Sequence, residues 1–179
     1  WILNNVVRAG GGATTDYSFG IRLAANSDAS IFNNTIDGGD AAIESFGIHI
    51  FNAAPRISNN IIFISGSAPL RIGIPEGTAA GSDPVLLTNN NIYSPVLYRD
   101  ADVAGDILDP LDLTIANTTQ GGPAQFNISV PLTLDANFRI LTLLPAVTEG
   151  GADLSITFDE DKDGNPRTVP WSIGAYEYD

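Results

Sequence analysis

The sequence predicts an all-β solenoid, a chain wound so that each coil of short strands pairs in parallel with the next. Three observations lead there. A double asparagine in an apolar frame recurs four times. A second glycine–isoleucine motif recurs between those frames. The segments between them lack the 3.6-residue periodicity of a crossover helix.

The frames are ILNNVV (2–7), IFNNTI (31–36), ISNNII (57–62) and LTNNNI (87–92), at spacings of 29, 26 and 30 residues. In register, Ile2, Ile31, Ile57 and Leu87 form one apolar column, and Val7, Ile36, Ile62 and Ile92 another. Strands this short bury nothing alone, but coils stacked at roughly 4.8 Å merge such columns into one continuous core. Asparagine disfavours strand interiors, so its recurrence needs a reason. In a stack, the first of each pair (Asn4, Asn33, Asn59, Asn89) turns the corner in the left-handed conformation. The second (Asn5, Asn34, Asn60, Asn90) passes amide hydrogen bonds from coil to coil as a ladder. The intervening motifs are GIRL from residue 20, GIHI from 47 and RIGI from 71. Aligned as written, they predict an outward column of Arg22, His49 and Gly73, with Arg71 one position away and Asp16 and Glu44 upstream.

These residues resemble the right-handed parallel β-helix proteins, the broad group that includes pectate lyases and many bacterial surface proteins. The C-terminal stretch DEDKDGNPRTVPWSIGAYEYD is similar to the closing segment of bacterial extracellular β-helix proteins, D-x-D-G-x-P-R, a spacer, then I-G-A-x-E. NFRILTLLPAVTEGG (137–151) matches the strand and turn that precede that ending, while Ser172 stands where the family usually has aspartate. The resemblance implies right-handed winding, with residues 1–95 as regular, N-terminally truncated coils. Residues 96–179 are then irregular final coils and the cap of the same domain, covering the bottom of the stack. Strands are expected at 113–116, 126–134, 138–144 and 172–178. Trp1 enters a repeat frame directly and the chain has no methionine. Further coils, or another copy, are therefore expected to adjoin the N-terminal end.

Acidic residues outnumber basic ones 21 to 8, and the net charge of −13 repels phosphate backbones and anionic lipid surfaces. Nucleic acid is therefore excluded as a partner. No run of 18 apolar residues predicts membrane insertion. Absence of cysteine excludes disulfides and zinc–thiolate sites. Asp159, Asp161 and Asp163 before Gly164 reproduce the first half of a calcium loop, but Pro170 occupies the twelfth position, where a bidentate glutamate belongs. Two readings of that loop stay open, a calcium site or a polar turn in which Arg167 pairs with Glu177 to fasten the loop to the last strand.

Enzymes of the resembled group place acids, bases and calcium on outward columns of one sheet, where sugar lies in a groove. Arg22, His49, Arg71, Asp16 and Glu44 are the corresponding carbohydrate-binding candidates, with His49 the single imidazole base. No acid pair predicts catalysis. The expectation is a secreted or cell-surface module, a stalk, adhesin or polysaccharide-contacting element without catalytic residues. The alternatives are a polysaccharide lyase or hydrolase with catalytic coils partly upstream, and a self-assembling filament subunit.

Overall fold

A computed structural model describes residues 1–178 apart from 13, 25, 78–80, 103–104 and 117–123. It is a parallel β-solenoid of about three turns with very little helix. The first coil contains β1 (Ile2–Leu3), β2 (Val6–Arg8) and β3 (Tyr17–Ala24). The second contains β4 (Ser30–Phe32), β5 (Thr35–Asp37) and β6 (Glu44–Phe51). The third contains β7 (Arg56–Ser58), β8 (Ile61–Phe63) and β9 (Leu70–Pro75). A fourth winding supplies β10 (Leu86–Thr88), β11 (Asn91–Tyr93) and β12 (Val96–Arg99). Then come β13 (Asp106–Ile107), α1 (Pro110–Ala116), β14 (Ala124–Gln125) and α2 (Pro145–Thr148).

These strands build three sheets. The first has the order β1-β4-β7-β10-β14, the second β2-β5-β8-β11, and the third β3-β6-β9-β12-β13. Every pairing between coils is parallel, and only β13 joins its neighbour β12 antiparallel. Ile2 pairs with Ile31, Ile31 with Ile57, and Ile57 with Leu87. In the second sheet Val7, Ile36, Ile62 and Ile92 stack likewise. From the second coil on, these side chains are fully buried and belong to one cluster that Leu113 of α1 joins from below.

The corner between the first two sheets depends on the asparagine pairs. Asn4, Asn33, Asn59 and Asn89 have φ of 53°, 52°, 57° and 53°, values that asparagine tolerates better than other side chains. The following asparagines form the ladder, Asn5 donating to Asn34 Oδ1 (3.2 Å), Asn34 to Asn60 (3.0 Å) and Asn60 to Asn90 (2.9 Å). Each Oδ1 also accepts the backbone N–H of the asparagine in the preceding coil, at 2.9 Å in all three steps. The ladder has one more rung, Asn127, whose Oδ1 accepts from Asn90 Nδ2 at 2.9 Å. There Phe126 takes the left-handed place at φ 56°, so the double-asparagine signal is missing.

The third sheet corrects the predicted register. Gly20 and Gly47 lie between the paired Phe19–Phe46 and Ile21–Ile48, and Phe46 pairs with Ile72, which sets Gly73 beside Gly47. A Cβ on Gly47 would stand 2.3 Å from Ile62 Cγ2 and 2.6 Å from Gly73 O, so only glycine lets the strand turn this close to the core. The motif recurs for its glycine. Aligning RIGI by its first residue therefore shifts that coil by two.

Beyond the fourth winding several expected strands are replaced. Residues 113–116 lie in a helix, 126–134 and 138–144 pair only through isolated bridges such as Leu134–Ile140, and 172–178 joins no strand or bridge. Their hydrogen bonds go elsewhere. The C-terminal segment runs back along the outside of the coils, against the corner asparagines. Asn89 Nδ2 donates to Gly150 O (2.9 Å), Asn59 Nδ2 to Ala152 O (2.8 Å) and Asn4 Nδ2 to Glu160 O (2.6 Å). Asn33 Nδ2 reaches Ser172 O and Gly174 O. No helix among the described residues is long and apolar enough to cross a membrane.

Candidate functional site

The third sheet's outer face holds part of the predicted set. Arg22 and His49 are cross-strand partners. Ile50 bridges Glu76, which places Pro75 rather than Gly73 next to His49, and Arg99 pairs with Pro75 in turn. The column is therefore Arg22, His49, Pro75, Arg99. Arg71 leaves the site. It pairs with buried Ser45, on the strand side opposite Ile72, and its Nη1 donates to Gly66 O at 3.3 Å. Glu44 pairs with Tyr17 and Leu70 at the start of the sheet. Asp16 precedes it as a turn residue, its carbonyl accepting from Ile43 N and Glu44 N at 3.1 Å each.

Stacking of like residues turns this face into an aromatic ribbon. Ring centroids lie 6.5 Å apart for Tyr17–Phe19, 5.3 Å for Phe19–Phe46, 5.5 Å for Phe46–His49 and 6.3 Å for His49–Phe51. The Arg22 guanidinium sits 5.4 Å from the Phe19 ring centre. Tyr17 and Phe51 remain exposed at the two ends. Burial, and then the Arg22 charge, hold the His49 pKa below its ordinary value, so the imidazole is neutral at pH 7. Its Nδ1 is buried and meets no hydrogen-bond partner among the described residues. Beyond the ribbon, Arg99 grips Asp106 through two bonds of 2.6 and 2.9 Å.

A second concave surface lies on the second sheet, outside the set of site residues predicted from the sequence. Register stacks Arg8, Asp37, Phe63 and Tyr93 in one outward column. The returning segment around Leu132–Phe138 walls this column into a cleft of about 410 Å³.

The acidic C-terminal loop is occupied by its own chain. Asp161 is buried; its Oδ1 accepts from the amides of Asp163 (2.8 Å) and Asn165 (2.9 Å), and its Oδ2 from Glu177 N (3.2 Å). The Asp163 carboxylate faces Arg139 and Lys162. Asp159 contributes its carbonyl, accepting from Arg167 N at 2.7 Å. Among the described residues no three acid or imidazole side chains converge as a metal would need. Arg167 is the hub of this closure. Its Nη1 meets Glu177 Oε2 at 3.0 Å, and Nη2 reaches Asn4 Oδ1 (3.0 Å) and Gly174 O (3.0 Å). Ser172 fills its place with a hydroxyl that donates to Thr148 O (2.9 Å) and accepts from Tyr178 N (3.0 Å).

Beneath the ribbon lies a buried acid that periodicity gave no reason to single out. Glu76 follows Ile50 in an inward column, contacts the Tyr98 hydroxyl and accepts from Ala101 N at 3.1 Å. Burial raises its pKa to about 7, with Asp100 and Asp83 adding repulsion.

Neither family models, nor curated proteins, nor solved structures gave a match to this chain.

Proposed function

We propose that this chain is a carbohydrate-contacting module of an extracellular or cell-surface β-helix protein, right-handed like the group its repeats resemble, and that the third sheet's ribbon is its contact surface. The observation behind this reading is the continuous run of rings from Tyr17 through Phe19, Phe46 and His49 to Phe51. Sugar rings present apolar faces edged by hydroxyls, and a row of aromatic faces with hydrogen-bonding groups beside it complements both. Arg22 supplies donors, and His49, whose Nδ1 is buried, has Nε2 as its one ring nitrogen for a ligand. The reading is non-catalytic. The C-terminal ending and the acidic field support an extracellular role, as in the resembled surface proteins.

Pull-down on insoluble polysaccharides and a glycan panel test it. Retention is expected to fall about tenfold, roughly 1.4 kcal/mol, in a Tyr17→Ala, Phe51→Ala double variant, whose exposed rings leave the core untouched. Release of unsaturated or reducing ends from any polysaccharide would instead favour the lyase or hydrolase. One observation favours a second reading, the stacking of another parallel coil on the first, from the same chain or a second copy. The Oδ1 atoms of Asn34, Asn60, Asn90 and Asn127 each accept from the preceding asparagine, whereas Asn5 Oδ1 accepts from no described residue. Sedimentation at rising concentration reads this directly, and a monomer throughout overturns the second-copy form.

A further inference from the structure

We infer that the cleft on the second sheet is a separate binding site for one end of a neutral sugar, held between the column Arg8–Asp37–Phe63–Tyr93 and the returning chain at Asp135–Phe138. The ligand class is shared with the ribbon reading, but the site stands on different residues. Its volume of about 410 Å³ lies within the range of small-molecule sites, about 300–1,000 Å³.

Its polar inventory is mixed and fixed. The Arg8 guanidinium lies 5.4 Å from the Phe138 ring centre and makes no ion pair with a described residue. Asp37 is buried and held by Gly39 N (2.9 Å), Ser65 N (3.0 Å) and Ser65 Oγ (2.7 Å). That leaves it one oxygen, Oδ2, with capacity to accept again. Asp135 accepts Asn137 N and Arg139 N on Oδ1, both at 2.8 Å, and its Oδ2 binds no described residue. Between these groups lie aromatic walls, Phe63 packed on Phe138 at 5.6 Å and Tyr93 about half exposed.

The combination selects the ligand. An anionic ligand meets Asp37 and Asp135, and a cationic one that pairs with them lies against Arg8, so neither sign of charge is matched by all three groups. A neutral polyol ring suits all three at once. Its hydroxyls donate to the two carboxylates and accept from the guanidinium, while its C–H face lies on Tyr93 and Phe63.

The test uses saturation-transfer NMR and titration with cellobiose, lactose, maltose and chitobiose, alongside glucuronate and glucosamine as charged probes. At least one neutral disaccharide is expected to bind saturably, and about tenfold more tightly than either charged sugar. Arg8→Gln and Tyr93→Ala, both at exposed side chains, are each expected to weaken it about tenfold, while the Tyr17→Ala, Phe51→Ala variant leaves it unchanged. The inference is overturned if no disaccharide saturates, if a charged sugar binds as well, or if Arg8→Gln and Tyr93→Ala have no effect. Loss in the ribbon variant alone overturns the cleft and leaves the ribbon reading standing. Loss in the cleft variants alone supports the cleft, and the ribbon reading then stands or falls on its own polysaccharide pull-down.

Discussion

Truncating Asn60 to alanine tests the stacking that every other statement depends on. Its side chain makes five hydrogen bonds. Oδ1 accepts Asn34 N (2.9 Å) and Asn34 Nδ2 (3.0 Å), and Nδ2 donates to Ile31 O (2.8 Å), Ser58 O (2.9 Å) and Asn90 Oδ1 (2.9 Å). Two of the affected partners keep other bonds in Asn60→Ala. Asn34 Nδ2 still reaches Ile2 O and Phe32 O, and Asn90 Oδ1 still accepts Asn60 N. Asn34 N–H is left stranded where water does not reach, at about 1–3 kcal/mol, and the two carbonyls lose a donor at about 0.5–1 kcal/mol each. The expected cost is about 2–5 kcal/mol. Asn5 at the top of the ladder is the internal control. Its Nδ2 donates to Leu3 O and Asn34 Oδ1, so Asn5→Ala should cost only about 1 kcal/mol. Urea unfolding at constant slope measures both. Equal costs at the two positions, or less than about 1 kcal/mol at Asn60, would refute a ladder whose energy grows with the number of layers it joins.

Other perturbations address the closure, the register and the buried acid. Arg167→Ala leaves the Glu177 carboxylate, 6% exposed, without its partner, and should cost about 3–5 kcal/mol in denaturant titration; a loss under about 1 kcal/mol would remove its fastening role. Gly47→Ala drives a methyl group into Ile62 and the Gly73 carbonyl and should lower stability by about 1–3 kcal/mol, read as a fall in Tm, with an unchanged Tm refuting the close approach. Glu76 has a folded pKa of about 7 against an ordinary 4.5. Between those values the folded chain keeps a proton that the unfolded chain has released, so stability falls as pH rises from about 4.5 to 7. The expected fall, discounted for partial hydration, is about 1–2 kcal/mol, and Glu76→Gln should flatten it.

The coil architecture was legible because stacking forces inward residues to repeat. Isoleucine columns and paired asparagines advertise themselves in a single sequence. Asn127 escaped notice because Phe126 occupies the left-handed place and the insertion before it stretches the spacing from Asn90 to 37 residues. The third-sheet register failed for a related reason. Arg71 and Ile72 offered a plausible match to the earlier motifs, whereas the mark of register is a glycine pressed on Ile36, Ile62 or Ile92. The cleft was invisible because one wall comes from residues 132–138, which follow Val130, whose backbone is held by the Asn91 side chain through bonds of 3.0 Å (Nδ2 to Val130 O) and 2.8 Å (Val130 N to Oδ1). Such contacts leave no side-chain pattern in the chain that supplies the carbonyl.

That asymmetry separates the two kinds of column. An inward column must stay uniform, because one misfit side chain disturbs the layers on both sides. An outward column is free to change from layer to layer, because each of its side chains meets its own surroundings, as Asp37 meets Ser65 and Phe63 meets Phe138. In the second sheet the inward set Val7, Ile36, Ile62, Ile92 is nearly constant, while the adjacent outward set changes at every layer from Arg8 to Asp37 to Phe63 to Tyr93. Stacking places these four unlike chemistries at one strand spacing from each other, a density of donors, acceptors and rings that coil repetition would not require. Replacing the column's two exposed members, Arg8 and Tyr93, by threonine, while Asp37 keeps its bonds to Gly39 N and Ser65, should therefore preserve the fold, since inward packing is untouched, and abolish the cleft's ligand. A protein that unfolds on this replacement would show that the outward column is structural after all, and the distinction between the two kinds of column would fail.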